Sequence, residues 1–310
     1  MPSKFTQLIR YKIDYLDLST MSTKRRKLSS GSESSIDLDS FKESASKFNH
    51  IEEKALKINV ILSNSLFELQ DEENDLDLPN FGLSQILVFN PRENTDLNII
   101  QKRFLNKIKN VAQNNNVNVI PQDSAFEALI DDMAIVLFDH LGLDDAERLS
   151  MNPSRLEFNI KSDNEWYSFA CHADREGKID GKTIWITTED KQIRSKSYKH
   201  GETQLIVSMI AAFQENISLK EIDTKMGEIN SVFGIRIVGT TFWFYKMDKQ
   251  KEYLDQLNEG LPNIDINVYK WGELSIVDPI QRKTIIRTLR AMRKYILNVI
   301  PDPLMSLLSN

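Results

Sequence analysis

The apolar residues of this chain change period several times, and each change marks an element. Over residues 124–141, Phe126, Leu129, Ile130, Met133, Val136, Leu137 and His140 recur at helical spacing, and Gly142 ends the run. Residues 156–160 alternate and predict a strand; 166–174 predict a second. Asp180-Gly181 is a tight-turn signal, and 183–191 then read as a third strand. A helix follows over 202–216, carrying Leu205, Ile206, Met209, Ile210 and Phe213 around the small pair Ala211-Ala212. Residues 233–245 predict a fourth strand or a hairpin bent at Gly239-Thr240, and 264–269 a fifth strand. The second long helix is expected over 279–299, with Asp278 placed to cap it and Pro279 suited to its first turn. Ile285, Leu289, Met292 and Ile296 form its apolar stripe; Lys283, Arg287, Arg290 and Lys294 form a basic one. Upstream, 58–69 predict a strand or short helix, 70–77 an acidic solvated loop, and 97–112 a helix ended by Asn114-Asn115-Asn116.

The rest of the composition narrows the class. The chain has 310 residues, 41% of them hydrophobic and 27% charged, which is ordinary for a globular protein of one or two domains. Residues 19–46 are rich in serine and charge, cannot bury enough apolar surface to offset their chain entropy, and predict disorder. Their basic run Lys24-Arg25-Arg26-Lys27, followed by serines, has the form of a nuclear localisation signal or of a solvated patch in a tail. The expected organisation is a disordered leader over 1–50, an extension of unassigned role over 51–120, a main domain over 121–300 and a tail over 301–310. A net charge of −6 confines any nucleic-acid contact to local basic patches. The single cysteine, Cys171, leaves no disulfide framework or Cys-rich zinc site, which favours a reducing compartment, and no apolar run reaches the roughly 18 residues of a membrane span. A nuclear or cytoplasmic protein without membrane contact is expected.

Candidate chemistry concentrates around the third predicted strand. Asp174 ends the second strand in this reading, and Glu189-Asp190-Lys191 ends the third, with Glu189 and Lys191 on one face together with Trp185 and Thr187. Two carboxylates and a lysine on adjoining strand ends suit a metal-dependent phosphodiesterase. Mg²⁺ is held by one or two carboxylates plus phosphate oxygens, and it activates a bound water. A lone Glu-x-Lys triplet says little, since Glu52/Lys54 and Glu176/Lys178 also match it. Here the triplet closes an apolar strand, has an acid on the preceding strand, and is followed by a helix.

That order of helix, three strands, helix and strand, with Asp174 and Glu189-x-Lys191, resembles the PD-(D/E)XK nuclease superfamily over residues 124–247; the serine-rich basic leader is similar to eukaryotic, fungal members. The resemblance implies an α/β fold of restriction-endonuclease type, with an αβββαβ core whose mixed sheet is flanked by helices. It implies Mg²⁺ or Mn²⁺ held by Asp174 and Glu189, Lys191 positioning the attacking water, and Glu127 on the first helix as a further acid. Ser124-Ala125-Phe126-Glu127 also fits a capping box, the structural use that Glu127 suits better. The partner implied is nucleic acid, with DNA favoured, and a homodimer is compatible with it. Arg194, Lys196 and Lys199 in the following loop, and Lys283, Arg287, Arg290 and Lys294 on the last helix, would contact phosphates. The sequence departs from the family in the polar Asp190 inside the triplet, in Thr187-Thr188 before it, and in Ser208 where some branches pair a glutamine such as Gln204 with a tyrosine. A catalytically inactive module of the same fold, binding nucleic acid or protein, therefore stays open, as does an unrelated α/β interaction protein. Glycine-rich phosphate loops, a G-x-S-x-G elbow and H-E-x-x-H spacing are absent from the sequence.

Overall fold

A computed structural model describes residues 38–69, 79–116, 123–145, 147–190, 201–222 and 228–299. The chain divides into two units, Met1–Ile36 and Asp37–Asn310, and all described residues belong to the second. The basic run Lys24–Lys27, the acidic run over 70–77 and the tail over 301–310 lie outside the described residues.

The second unit is an α/β structure built on a mixed seven-stranded sheet. Its strands are β1 (Ile58–Leu62), β2 (Leu149–Asn152), β5 (Arg175–Ile179), β6 (Lys182–Asp190), β7 (Ser231–Val238), β8 (Thr241–Asp248) and β9 (Ile266–Ser275), in the spatial order β1-β9-β8-β7-β6-β5-β2. β6 runs parallel to β7, and β1 parallel to β9; the other neighbours are antiparallel. β3 (Leu156–Ser162) and β4 (Glu165–Cys171) form a separate two-stranded sheet. The helices are α1 (His50–Ala55), α2 (Leu83–Val88), α3 (Ile99–Asn116), α4 (Asp123–His140), α5 (Gly201–Ile222), α6 (Lys251–Gln256) and α7 (Pro279–Val299).

Successive residues of the central strands show which helix covers which face. Gly234 in β7 lies under α5, where an added Cβ would meet Met209 and Leu205. Its neighbour Phe233 points the other way and packs edge-on against Tyr295 of α7, 5.4 Å between ring centroids. Trp185 in β6 packs against Phe138 of α4 at 5.3 Å. So α5 covers one face of the sheet, α4 and α7 cover the other, and β3–β4 lies over α5. All eight residues of β7 are buried, as a strand covered on both faces requires. α5 is buried all round from Leu205 to Phe213, because it is sandwiched between the sheet and the β3–β4 hairpin. α4 and α7 bury one stripe each: Ile130, Met133, Ala134, Leu137 and Phe138 in α4, and Ile285, Leu289, Met292 and Ile296 in α7. Asp278 caps α7 by accepting from the Ile280 and Gln281 N–H groups at 3.0 and 2.8 Å.

The tight turn at Asp180-Gly181 is present: both residues have positive φ, 50° and 80°, and Ile179 pairs with Lys182 across it. The strand that enters this turn differs from expectation. Residues 156–162 and 165–171 form a two-stranded sheet of their own, touched at Ala170 by a single parallel bridge from Ser44, and the sheet positions beside β6 are taken by β5 and then β2. The reason is in the pattern. Three of the five residues of β5, Arg-Glu-Gly-Lys-Ile, are charged, yet Glu176 is buried and bonded to Lys178 at 3.1 Å. Buried polar residues that satisfy one another look like loop to a hydrophobicity pattern.

Two expected boundaries also move. Residues 38–50, expected to continue the leader, are folded: Phe41 and Phe48 are buried and pack on Phe169 at 5.7 and 5.4 Å. The extension over 51–120 is no separate layer either, since β1 is an edge of the main sheet, paired residue by residue with β9.

Candidate functional site

Asp174 does not end β4. β4 closes at Cys171, exposed His172 and buried Ala173 follow, and Asp174 leads into β5. Its N–H donates to the Thr187 carbonyl at 3.0 Å, while the next residue, Arg175, is the register partner of Thr187. The register irregularity of the β5–β6 pair falls further along, between Gly177 and Lys178. Asp174 is half-buried and has interaction partners. Thr187 is two residues before Glu189 on β6. The backbone of Glu189 pairs with Ile237 and that of Asp190 with Val238, so the triplet sits at the end of two adjacent parallel strands. The side chains of Glu127 and Glu189, and the whole of Lys191, Arg194, Lys196 and Lys199, lie outside the described residues.

The surroundings of this strand end hold it firmly. Arg175 donates to Asp131 of α4 through Nε (3.1 Å) and Nη2 (3.0 and 2.8 Å), a fork that ties the start of β5 to the helix bearing Glu127. On the other side, Gln204 in the first turn of α5 donates from Nε2 to the His172 carbonyl at 2.6 Å, just ahead of Asp174. Ser208 donates to the Gln204 carbonyl at 2.9 Å, so its hydroxyl is used within the helix. Thr187 and Thr188 are buried, and neither hydroxyl has a hydrogen-bond partner among the described residues. These threonines, which made the run before the triplet look insufficiently apolar, are interior residues.

A charged group that the sequence reading did not single out lies beside Thr188. Arg236 of β7 is its register partner, is buried, and has its guanidinium 5.8 Å from the Trp243 ring centre. Glu202 in the first turn of α5 accepts from the Tyr245 hydroxyl at 2.9 Å and from Lys270 Nζ at 2.6 Å. Burial, then the Glu202 carboxylate, pushes the Tyr245 hydroxyl well above its usual range, so it stays a donor. The available signal was the lone arginine within the apolar run Val-Phe-Gly-Ile-Arg-Ile-Val of β7.

The basic stripe of α7 takes a different position. Lys283 and Lys294 are exposed and Arg287 and Arg290 half-buried, and Arg287, Arg290 and Lys294 all have interaction partners. Arg290 lies near His140 at the C-terminal end of α4; burial, then this arginine, lowers the His140 pKa. Asp131 is nine residues earlier on α4, so at 1.5 Å per residue the His140 end of that helix lies about 13 Å from the Asp131–Arg175 fork. Among the described residues no group of three or more His, Cys, Asp or Glu side chains converges as a metal-ligand set, and no helix is long and apolar enough to cross a membrane.

Comparison with known proteins adds no assignment. No family model matches the chain, and no curated protein matches it. Among solved structures, SSO0001 aligns with 52% of this chain and 83% of its own length, at 12% identity and a TM-score of 0.22, which is too distant to bear on fold or function.

Proposed function

We propose that this chain is a metal-dependent nuclease of the PD-(D/E)XK kind, hydrolysing phosphodiester bonds of nucleic acid, with DNA the favoured substrate. The observation that carries this reading is the β5–β6 hairpin. The Asp180-Gly181 turn returns the chain so that the Asp174 backbone bonds to Thr187, two residues from Glu189. The connectivity supports it as well. α4 is followed by β2, β5 and β6, three antiparallel neighbours, then by α5 and by β7 parallel to β6. With β3–β4 as an insertion, this is the order of helix, three strands, helix and strand that the resemblance implies.

The donor chemistry fits a hard divalent cation. Asp174 offers a half-buried carboxylate, and Glu189 is two residues beyond its bonding partner. Mg²⁺ or Mn²⁺, when bound, would supply water activation and charge neutralisation at the phosphate. In this reading Asp174 and Glu189 hold the ion, Lys191 orients the water, and Glu127 adds an acid from α4. Asp131 and Arg175 hold β5 in place, and Gln204 fixes the segment that precedes Asp174. The Lys24–Lys27 run would direct the protein to the nucleus.

The test is cleavage of plasmid and single-stranded DNA with Mg²⁺ or Mn²⁺, comparing wild type with Asp174→Ala, Glu189→Ala and Lys191→Ala. Metal-dependent cutting abolished in all three supports the nuclease. A well-folded wild type that neither cuts nor binds Mn²⁺ by calorimetry leaves the inactive module, the reading favoured by Asp190 and by Ser208 in place of a tyrosine.

A further inference from the structure

On the α5 side of the sheet, well away from the triplet, a cleft of about 510 Å³ opens between β3–β4, the second half of α5 and α6. Its size is that of a small-ligand site. Ile217 and Leu254 supply its apolar surface, and Trp166 of β4 contributes an indole that is 52% exposed. Its half-exposed ring gives the cleft a flat aromatic surface with a polar N–H at its edge. Lys161 of β3 holds its ammonium 5.9 Å from the centre of that indole. Asp255 and Asn258, at the end of α6 and just after it, also line the cleft, and their side chains make no hydrogen bond among the described residues. The walls are held together: Lys161 N–H donates to the Leu257 carbonyl at 2.8 Å, and Gln214 of α5 bonds both backbone groups of Asn159 in β3.

We propose that this cleft receives one unpaired nucleobase of a single strand, stacked on Trp166, with its polar edge on Asp255 and Asn258 and a flanking phosphate on Lys161. The choice of a nucleic-acid strand rests on the nuclease reading; the ligand's chemistry comes from the cleft. A flat aromatic face, a cation beside it and an unused carboxylate–amide pair match the ring, phosphate and edge of a nucleotide. An organic cation would meet the like charge of Lys161 at the same indole. A carboxylate accepts two adjacent donors, and guanine presents N1–H and N2–H side by side, so guanine is the preferred base. Gln214 is thirteen residues beyond Gly201, so the cleft lies about 20 Å along α5 from the strand ends bearing the triplet. A strand held there can extend toward them.

The test is fluorescence anisotropy in EDTA, where no cleavage occurs. The probe is a labelled thymidine tract carrying one guanine, measured with wild type, Trp166→Ala, Asp255→Asn and Lys161→Gln. Loss of base stacking in Trp166→Ala should weaken binding about tenfold. Asp255→Asn should equalise the guanine-bearing and all-thymidine tracts. Lys161→Gln should reduce the slope of log affinity against log salt by roughly 0.7. Trp166 and Asp255 are exposed, and unchanged melting curves will show that their variants fold. Wild-type affinity in Trp166→Ala, failure of the wild type to bind the strand, or competition by agmatine but not by GMP would overturn the proposal. So would saturation by GMP with no gain in affinity from the strand, which would assign the cleft to a free nucleotide. The two readings fail separately. A Trp166-dependent strand affinity without metal-dependent cleavage removes the nuclease and keeps the cleft; cleavage lost in Glu189→Ala with no effect of Trp166→Ala does the reverse.

Discussion

Replacing Gly177 with alanine tests how tightly the hairpin that carries both candidate acids is built. An added Cβ would lie 1.9 Å from Trp185 Nε1 and 2.0 Å from its Cε2, where ordinary contact begins near 3.4 Å. The indole would have to retreat by about 1.5 Å, and it has nowhere to go: Trp185 is fully buried and packs against Phe138 of α4 at 5.3 Å. Overpacking of this kind costs about 1–3 kcal/mol, and a rigid bicyclic ring places it at the top of that range. Alanine also lowers the entropy of the unfolded chain, which returns about 0.4–1 kcal/mol. The net expectation is a loss of about 2 kcal/mol, read as a lower urea midpoint with an unchanged m-value. The control is the same substitution in a Trp185→Leu background. There the obstructing ring is gone, so Gly177→Ala should be neutral or stabilising, a coupling above about 1 kcal/mol. A Gly177→Ala protein within about 0.5 kcal/mol of wild type, or the same loss in both backgrounds, would refute the steric account.

Three further outcomes follow from the same region. Asp131→Ala and Arg175→Ala should each destabilise by about 1–3 kcal/mol, and their double-mutant cycle should show coupling near 1 kcal/mol, because the fork is bidentate and part-buried; strict additivity in urea unfolding would contradict that. Burial raises the Glu176 carboxyl above its ordinary value of 4.5, against the opposing pull of Lys178. The folded state therefore holds this proton to higher pH than the unfolded chain, and stability falls as pH rises upward from about 4.5 until the raised pKa is passed. Glu176→Gln should remove that slope from a pH series of urea melts, and an unaltered slope would rule Glu176 out as its source. Burial lifts the Cys171 thiol to about 12, so the native protein should be inert to a disulfide reagent near neutral pH, with the thiol titrating only after unfolding in guanidinium; prompt native labelling would place it at the surface.

Local rules were enough for the elements whose energy is local or one-sided. The α4 and α7 stripes, the Asp278 cap and the Asp180-Gly181 turn follow from apolar spacing and backbone preference, which neighbouring residues dictate. Strand partnership does not. β3 and β4 alternate well but lie outside the main sheet, whereas three of the five β5 residues are charged and that strand still lies inside it. Its glutamate and lysine satisfy each other, and its glycine admits the Trp185 ring, conditions that exist only once β6, α4 and α5 have assembled. The same holds at the candidate site. Asp174 and the Glu189 triplet could be picked out as residue types suited to one chemistry. Placing Asp174 with its N–H on the Thr187 carbonyl, gripped from α4 through Arg175 and from α5 through Gln204, required contacts between segments far apart in the chain. The buried Arg236 and the Trp166 cleft were likewise beyond periodicity, since a pattern reports how polar a position is and only packing decides which polar groups meet.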